Sequence, residues 1–301
     1  MLSCSFHRNN LRRKILLIIF LAPLFVNAQD SSLKIAPVDS SLKSPLQILI
    51  HSIQRGANDS VRIASNTIFK NYLDSVLRNP SSFSARFDSI KNVSIITDPQ
   101  NKFRIYTWTV PRFDGDHYDY FGFIQIPEAS GNTIQLISLM DSTKSIQKPE
   151  SEKLSAAKWY GAVYYSLVEK KVGKRTYYTL LGWKGMNAIT TQKVAEVLIL
   201  EKNNPRFGYP LFKTGKVYKN RLVFSFSSQA TMALRYDESK NLIVFDHLSG
   251  NNSKNDTENP LNTSGPDGTY DALKFKSGKW ILMNDVDVRT EWKAKKQEPN
   301  E

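Results

Sequence analysis

The densest group of acidic residues lies between two predicted strands. Asp114, Asp116 and Asp119 follow the pattern Asp-Gly-Asp-x-x-Asp, and His117 stands among them. Calcium loops use carboxylate oxygens brought this close together, although the bidentate glutamate and the spacing of an EF-hand are missing here. Asp and Gly are also the usual residues of a hairpin turn. The pattern therefore predicts a turn, with a weak cation site at Asp114, Asp116 and Asp119 as the alternative.

A second acid–histidine pair, Asp246 and His247, comes at the end of a predicted strand. Because a histidine oriented by a carboxylate can act as a general base, Asp116, His117, Asp246 and His247 are the candidate catalytic residues. No nucleophile accompanies them: there is no Gly-x-Ser-x-Gly elbow, and the one cysteine, Cys4, lies near the N-terminus. The simpler interpretation of His247 is a side chain bonded to backbone where a strand ends. The sequence leaves enzymatic activity open and favours a protein without it.

Aromatic residues form the third candidate site. Tyr164 and Tyr165 lie on one arm of a predicted hairpin, Tyr177 and Tyr178 lie on the other, and Trp183 follows. Successive side chains of a strand point to opposite faces, and residues opposite each other in antiparallel strands share a face. This predicts one tyrosine from each arm on each side of the sheet. Core filling on both faces is the favoured interpretation, and a row on the solvent side that stacks on a sugar or a peptide is the alternative.

Composition excludes several classes of protein. Hydrophobic residues make up 41% of the 301 residues and charged residues 23%, so the bulk of the chain is not disordered, collagen-like or coiled coil. The single cysteine excludes a disulfide framework and a zinc site built from several thiolates. The sequence indicates no cofactor.

The N-terminus carries a three-part export signal. Basic residues are followed by the apolar run 15–25 and by Val26-Asn27-Ala28, a cleavage site with small residues at positions −3 and −1. The run is about half of the roughly 20 residues that span a bilayer, so a cleaved signal is favoured over a membrane anchor. Cleavage would start the mature chain at Gln29, with neither a cysteine nor a transmembrane segment. A periplasmic or secreted protein is predicted.

The chain is basic even without the signal. The net charge of +13 falls to +9, because the signal holds four of the 41 Lys and Arg residues and no acid. The basic residues are dispersed, which predicts a solvated surface, with a polyanion site as the alternative. An exported protein has little access to nucleic acid, so nucleic acid is not an expected partner. The partner is unknown; a glycan, a peptide or another envelope protein are the candidates.

Two helices are predicted ahead of the strands. The first has Ser44-Pro45 at its start and Gly56 at its end, where a left-handed cap suits glycine. The second begins at Asn58 or Asp59 and ends at Asn79-Pro80. Its apolar stripe is predicted through Val61, Ala64, Ile68, Tyr72, Val76 and Leu77.

After Pro80, turn-rich spacers separate short runs of β-branched and aromatic residues, which predict strands. The first group is an antiparallel meander over 93–96, 103–110, 118–126 and 133–140. A hairpin with a charged tip follows over 160–168 and 176–183. Residues 194–200 suit either a strand or a short helix. Further strands are predicted at 222–227, 232–236, 242–246, 273–276 and 280–283.

Several aromatic phrases of the second half occur in a fixed order. They are Trp159-Tyr160-Gly161-Ala162, Tyr177-Tyr178-Thr179-Leu180-Leu181-Gly182-Trp183, Arg206-Phe207-Gly208 and Val244-Phe245-Asp246-His247-Leu248. From about Phe103 to Arg289 the chain resembles a family of uncharacterised exported proteins of Bacteroidota. The resemblance implies a Gram-negative envelope and no known activity. In that family an acidic residue often follows the tryptophan where this chain has Lys184. If the loop binds a cation in the family, this chain is not expected to bind one there.

These patterns predict an α+β protein, mostly antiparallel β, either sandwich-like or two packed β subdomains, with an N-terminal αα-hairpin. The expected organisation is a signal peptide (1–28), a flexible lead (29–43), a helical hairpin (44–79), a β meander (80–140), a linker (141–155), a second β-rich region (156–291) and a charged tail (292–301). The expected function is a non-catalytic binding or structural module of the cell envelope. The alternative is a periplasmic hydrolase using clustered Asp and His.

Overall fold

Two helices open the computed structural model, which describes residues 43–87, 90–115, 117–128, 131–249 and 265–287. Helix α1 spans Lys43–Arg55 and α2 spans Asp59–Leu77. The side chain of Asn58 caps α2 by accepting a hydrogen bond from the Val61 backbone N–H at 3.0 Å. The N-terminal helix pair is therefore confirmed. The predicted signal peptide, the charged tail and all of the lead except Lys43 lie outside the described residues.

The buried side of α2 differs from the predicted stripe. Val61 and Ile68 are 43% and 58% exposed, whereas the core positions are Phe69, Leu73, Val76 and Leu77. Asn66 also faces inward, because its side-chain carbonyl accepts a hydrogen bond from the indole N–H of Trp108 at 2.8 Å. The predicted stripe is therefore right at Val76 and Leu77 and wrong at Val61 and Ile68. Hydrophobic periodicity could not reveal the contact of Asn66, because it is polar.

Four strands form the predicted meander. They are β1 (Val93–Thr97), β2 (Arg104–Pro111), β3 (Tyr118–Pro127) and β4 (Ile134–Met140). The strands pair antiparallel in the order β1-β2-β3-β4, which is the first sheet. Short 3₁₀ helices at Pro80–Ser84 and Thr143–Ser145 flank this sheet along the chain.

Twelve further strands follow among the described residues. They are β5 (Leu154–Ser155), β6 (Val163–Val172), β7 (Arg175–Gly185), β8 (Thr190–Glu201), β9 (Asn204–Phe207), β10 (Phe212–Thr214), β11 (Val217–Lys219), β12 (Arg221–Ser227), β13 (Leu234–Asp237), β14 (Leu242–Ser249), β15 (Gly265–Lys276) and β16 (Lys279–Met283). The central sheet has the order β5-β9-β8-β7-β6, with β12 paired to β8, and the third sheet has the order β11-β10-β16-β15-β14-β13. Strands β10 and β16 are parallel, and the other described pairs are antiparallel.

The layers are held together by three apolar cores. One lies between the helix pair and the first sheet, around Phe69, Leu73 and Trp108. The next joins the first sheet to the central sheet through residues such as Ile124 and Leu180. The third joins the opposite face of the central sheet to the third sheet. The arrangement is one helical layer followed by three sheets, which confirms a sandwich-like α+β fold.

Two stretches whose structure was open from the sequence are explained by the strands with which they pair. Residues 194–200 lie in β8, whose partners on either side are β7 and the strands β9 and β12. A strand buried on both faces has no alternating polar positions, which explains the ambiguity. The expected linker 141–155 contains Leu154 and Ser155 of β5, paired with β9. In the part of the chain that is described, no helix has the length and apolar content of a membrane span.

Candidate functional site

The acidic cluster between β2 and β3 is partly neutralised by arginine. An Arg112 Nη lies 2.6 Å from Oδ2 of Asp119, Asp114 is exposed and His117 is half-buried. Asp116 lies outside the described residues. No group of three or more His, Cys, Asp or Glu side chains in the described ranges is arranged to hold a metal ion. The geometry therefore adds nothing in favour of the weak cation site.

The carboxylate that orients His247 is Asp271 on β15. Asp271 Oδ2 lies 2.9 Å from Nδ1 of His247, and Asp267 Oδ2 lies 4.0 Å from Nε2. The hydrogen bond to Asp271 raises the pKa of His247 above its ordinary value. Asp246 instead accepts a hydrogen bond from the backbone N–H of Ala233 at 2.7 Å. Sequence reasoning missed Asp271, since it comes from another strand.

The two histidines belong to different layers of the molecule. His117 precedes β3 of the first sheet, and His247 lies on β14 of the third sheet. The central sheet packs between these sheets. His117 and Asp119 are therefore not brought together with Asp246 and His247.

The four tyrosines do not form the predicted row. In the β6–β7 register Tyr164 lies opposite Gly182, whereas Tyr177 and Tyr178 lie opposite Lys170 and Glu169 at the other end of the hairpin. Tyr164, Tyr177 and Tyr178 are at most 6% exposed. Tyr165 is 40% exposed because it sits at a bulge, where the register shifts between Tyr164 and Ser166.

Tyr164 takes part in a buried polar network. Its hydroxyl accepts a hydrogen bond from the indole N–H of Trp159 at 2.7 Å and donates one to Glu196. Glu196 in turn accepts a hydrogen bond from Nε of Arg221 at 2.6 Å, and both charged residues are fully buried. Burial raises the pKa of the Tyr164 hydroxyl, and so does the carboxylate beside it. This tyrosine is part of the core, not of a binding surface.

Trp183 is half-buried and packs against a residue of the first sheet. Its ring meets the Tyr118 ring edge-on, with centroids 5.3 Å apart. Lys193 lies opposite Trp183 on β8, and its ammonium is 4.6 Å from the centroid of the Tyr165 ring. Tyr118, Trp183 and Lys193 line a cavity of about 380 Å³ between the turn after β2 and the loop after β12. We call this cavity the aromatic pocket.

A glycine explains how both rings come close to the β7 backbone at Gly185. A Cβ at Gly185 would come within 2.5 Å of the Tyr118 ring and 2.7 Å of the Trp183 ring. Real Cβ atoms do not approach ring carbons this closely, because tight packing turns repulsive. A side chain at Gly185 would displace one ring or both. The sequence signal for the aromatic pocket was therefore Trp183 followed by a glycine two residues later.

Polar side chains complete the aromatic pocket. The side-chain carbonyl oxygen of Asn187 accepts hydrogen bonds from the backbone N–H groups of Ile189 and Thr190 at 2.9 and 2.7 Å. These bonds shape the turn between β7 and β8. The Ser228 hydroxyl donates to the carbonyl of Ala188 at 2.5 Å and holds the loop after β12 against this turn. Two threonines, Thr191 and Thr231, also line the cavity. The pocket combines ring faces with hydroxyl and amide groups.

Next to Trp183, Lys184 points to the opposite face and is 1% exposed. Its ammonium donates to the carbonyls of Tyr160 and Gly161, each at 2.7 Å, and to the Thr143 hydroxyl at 2.8 Å. The rings of Tyr120 and Tyr160 lie 4.3 and 4.5 Å from it. Burial lowers the pKa of Lys184 to about 8, with the charges of Asp141 and Glu196 acting in the opposite direction. All three donors are used, so the lysine ties β7 to the segment between β4 and β6.

Comparison with protein-family models, with curated proteins and with solved structures finds no match for this chain. The resemblance to exported Bacteroidota proteins stays a prediction.

Proposed function

We propose that this chain is an exported, non-catalytic binding protein whose ligand site is the aromatic pocket. The observation that carries the proposal is the Tyr118–Trp183 ring pair, held against Gly185 beside a cavity with polar walls. Trp and Tyr provide large contact areas and lose little side-chain entropy on binding. Rigid rings of this kind are what a recognition surface needs.

A neutral sugar matches the chemistry of the pocket best. The C–H faces of a sugar ring pack on aromatic rings, and its hydroxyls bond to groups such as those of Thr191, Ser228 and Asn187. The cavity of about 380 Å³ lies at the small end of the usual range of ligand sites. We therefore propose the end of a short oligosaccharide as the ligand, with a peptide as the alternative.

Binding is tested with the mature chain and a set of neutral oligosaccharides, namely cello-, xylo-, manno- and chito-oligosaccharides. Calorimetry should find binding to at least one of them, and Trp183→Ala should weaken it at least about tenfold, as for a central aromatic anchor. Tyr218→Ala is the matched control, since Tyr218 is 50% exposed and does not line the pocket. No binding to any of the four sugars, or equal binding by Trp183→Ala, would contradict the proposal. Binding of short peptides alone would identify the alternative ligand.

Export has its own test. The predicted signal over residues 1–28 implies an envelope or secreted protein that begins at Gln29. Amino-terminal sequencing of the protein from envelope and culture fractions should start there. A chain that still begins at Met1 would overturn export by cleavage and leave the binding site untouched.

A hydrolase is the second candidate function, and the His247–Asp271 contact of 2.9 Å is the observation in its favour. The raised pKa of His247 makes the imidazole a better base. If this pair were catalytic, His247→Gln would abolish hydrolysis of a chromogenic ester or glycoside and leave the binding of oligosaccharide unchanged. Equal hydrolysis by His247→Gln and by the parent chain would eliminate this candidate.

A further inference from the structure

A second and larger cleft lies at the other end of β7 and β8 from the aromatic pocket. It has a volume of about 1160 Å³ and opens where three turns meet: β1–β2, β6–β7 and β8–β9. Its floor contains apolar residues such as Ile126, Ile199 and Leu200. We call it the basic cleft, because of the side chains around it.

Positive charge dominates the walls of the basic cleft. Its cationic side chains are Lys102, Lys174, Arg175, Lys202 and Arg206. The one acid among the lining residues is Glu201, 3.8 Å from Arg175, so five positive charges face one negative charge. A concave surface lined by one sign of charge concentrates the field and attracts ligands of opposite charge. The dispersed basic residues of the sequence are gathered here by the fold.

The backbone that carries these cations is held in place. Asp98 is buried, and its Oδ2 accepts hydrogen bonds at 3.0 Å from the N–H groups of Gln100 and Lys102, which fixes the β1–β2 turn. Lys202 and Asn203 both have positive φ, 49° and 63°, and close a tight turn between the paired residues of β8 and β9. Turns of this kind leave the strands little freedom at their ends. The cleft is therefore formed before any ligand arrives.

The volume of the basic cleft and its lining residues indicate which class of anion it can bind. A cleft of this volume exceeds what a single phosphate or carboxylate fills. Its cations lie at three separate turns or at the ends of the strands beside them. A chain with several negative charges can reach all of them. The one aromatic residue among its lining residues is Tyr178, which is 3% exposed. Single-stranded nucleic acid is bound by stacking on exposed rings, so the basic cleft lacks the feature that nucleic acid requires.

We propose that the basic cleft binds an acidic oligosaccharide, whose charges are the carboxylates of uronic acids or the sulfates of a sulfated glycan. Lysine and arginine bond to both groups through charge-assisted hydrogen bonds. The apolar floor accommodates the C–H faces of sugar rings. This site is independent of the aromatic pocket, and the two are separated by the length of β7.

The test uses the mature chain with a hexasaccharide of galacturonic acid and a heparin-derived hexasaccharide. Calorimetry at low salt should find binding of at least one, and added salt should weaken it because the cations are exposed. The double variant Lys102→Gln/Arg206→Gln should bind about tenfold more weakly, since it removes two charge-assisted contacts. Lys91→Gln/Lys216→Gln removes the same charge from exposed lysines outside the cleft and should bind within about twofold of the parent chain.

Each outcome decides the proposal. Binding of one hexasaccharide alone identifies carboxylate or sulfate as the ligand group. The proposal is overturned if the chain binds neither hexasaccharide, or if both double variants weaken binding equally. It is also overturned if a single-stranded DNA 20-mer or phosphatidylglycerol vesicles bind more tightly than the hexasaccharides do. If the variants unfold at the same temperature as the parent chain, a loss of affinity comes from the binding site and not from the stability of the fold. Trp183→Ala should keep its affinity for the acidic hexasaccharide, so this proposal and the aromatic pocket fail separately.

Discussion

At the scale of single residues, the buried ammonium of Lys184 shows how a charge is retained inside this protein. Burial of a charged group is costly unless hydrogen bonds replace its hydration. Two carbonyls, one hydroxyl and the faces of two tyrosine rings surround this ammonium. Burial still dominates, because the pKa falls to about 8 from 10.5. The native state therefore releases this proton at a lower pH than the unfolded chain does.

This difference predicts how stability depends on pH. Between pH about 8 and 10.5 the unfolded chain binds the Lys184 proton and the native chain does not, so the contribution of Lys184 to the free energy of unfolding rises with pH. Urea unfolding across this window should show that rise for the parent chain and not for Lys184→Met. Lys144→Met, at an exposed lysine next to Thr143, should follow the parent chain. Parallel curves for the parent and Lys184→Met would contradict the lowered pKa.

At the scale of elements, the contact between β8 and β12 is fixed by a buried ion pair. Glu196 and Arg221 are direct cross-strand partners and are fully buried. Arg221 also donates to the carbonyl of Pro149, which ties the expected linker to the central sheet. A charge left alone in such a place costs more than the pair contributes.

Removal of one partner should therefore destabilise the protein strongly. Glu196→Gln leaves the guanidinium without a counter-charge, and we expect a loss of about 3–5 kcal/mol in the free energy of unfolding. The double variant Glu196→Leu/Arg221→Met removes both charges and should recover much of that loss. Urea unfolding measures both variants. A Glu196→Gln variant as stable as the parent chain would mean that the pair carries little weight.

At the scale of the whole molecule, the layers share their cores. The first sheet packs on the helices with one face and on the central sheet with the other, and the central sheet is likewise covered on both faces. A layer that buries its apolar face only against a neighbour is not stable without it. The four layers should therefore unfold together.

Two substitutions at opposite ends of the stack test this cooperativity. Leu73→Ala in α2 and Leu273→Ala in β15 each remove a side chain at most 1% exposed and should cost about 2–5 kcal/mol. Both should shift the same single transition, seen alike by far-UV and near-UV circular dichroism. Ile48→Ala, at a site 65% exposed in α1, is the control and should change stability by less than about 0.5 kcal/mol. A separate early transition of the helices in Leu73→Ala would show that the layers are independent.

The helices and most strands follow from causes that lie within a few residues of one another. The second helix is capped by Asn58 and ends at Asn79-Pro80, and Asp and Gly residues form the turns between strands. Each of these signals lies next to the element it limits, so the sequence predicts the helix pair and the antiparallel strands. Four strands that the sequence does not predict, β5, β9, β10 and β11, have two to four residues. So short a run shows no clear alternation. Strands β9 and β10 pair with the longer strands β8 and β16, and β5 and β11 in turn pair with β9 and β10.

The candidate site was predictable only in part. Because a strand alternates its faces, the sequence predicts that adjacent tyrosines point to opposite sides, as the buried Tyr164 and the 40% exposed Tyr165 do. The sequence does not reveal the bulge between Tyr164 and Ser166 or the register of β6 on β7. The predicted pairing of tyrosines across this hairpin was therefore wrong. Tyr118, the second ring of the aromatic pocket, comes from a different sheet.

Local order along the chain is enough to predict an export signal, and it accounts for the helix pair and for the antiparallel pairing of most strands. Which distant groups meet depends on the tertiary structure. Asp271 reaches His247 from 24 residues away, and the Thr143 hydroxyl meets Lys184 across 41. The basic cleft brings together cations from the regions of three turns that lie far apart in the sequence. The physical reason is that such contacts depend on strand register and on the packing of layers, which are properties of the whole chain.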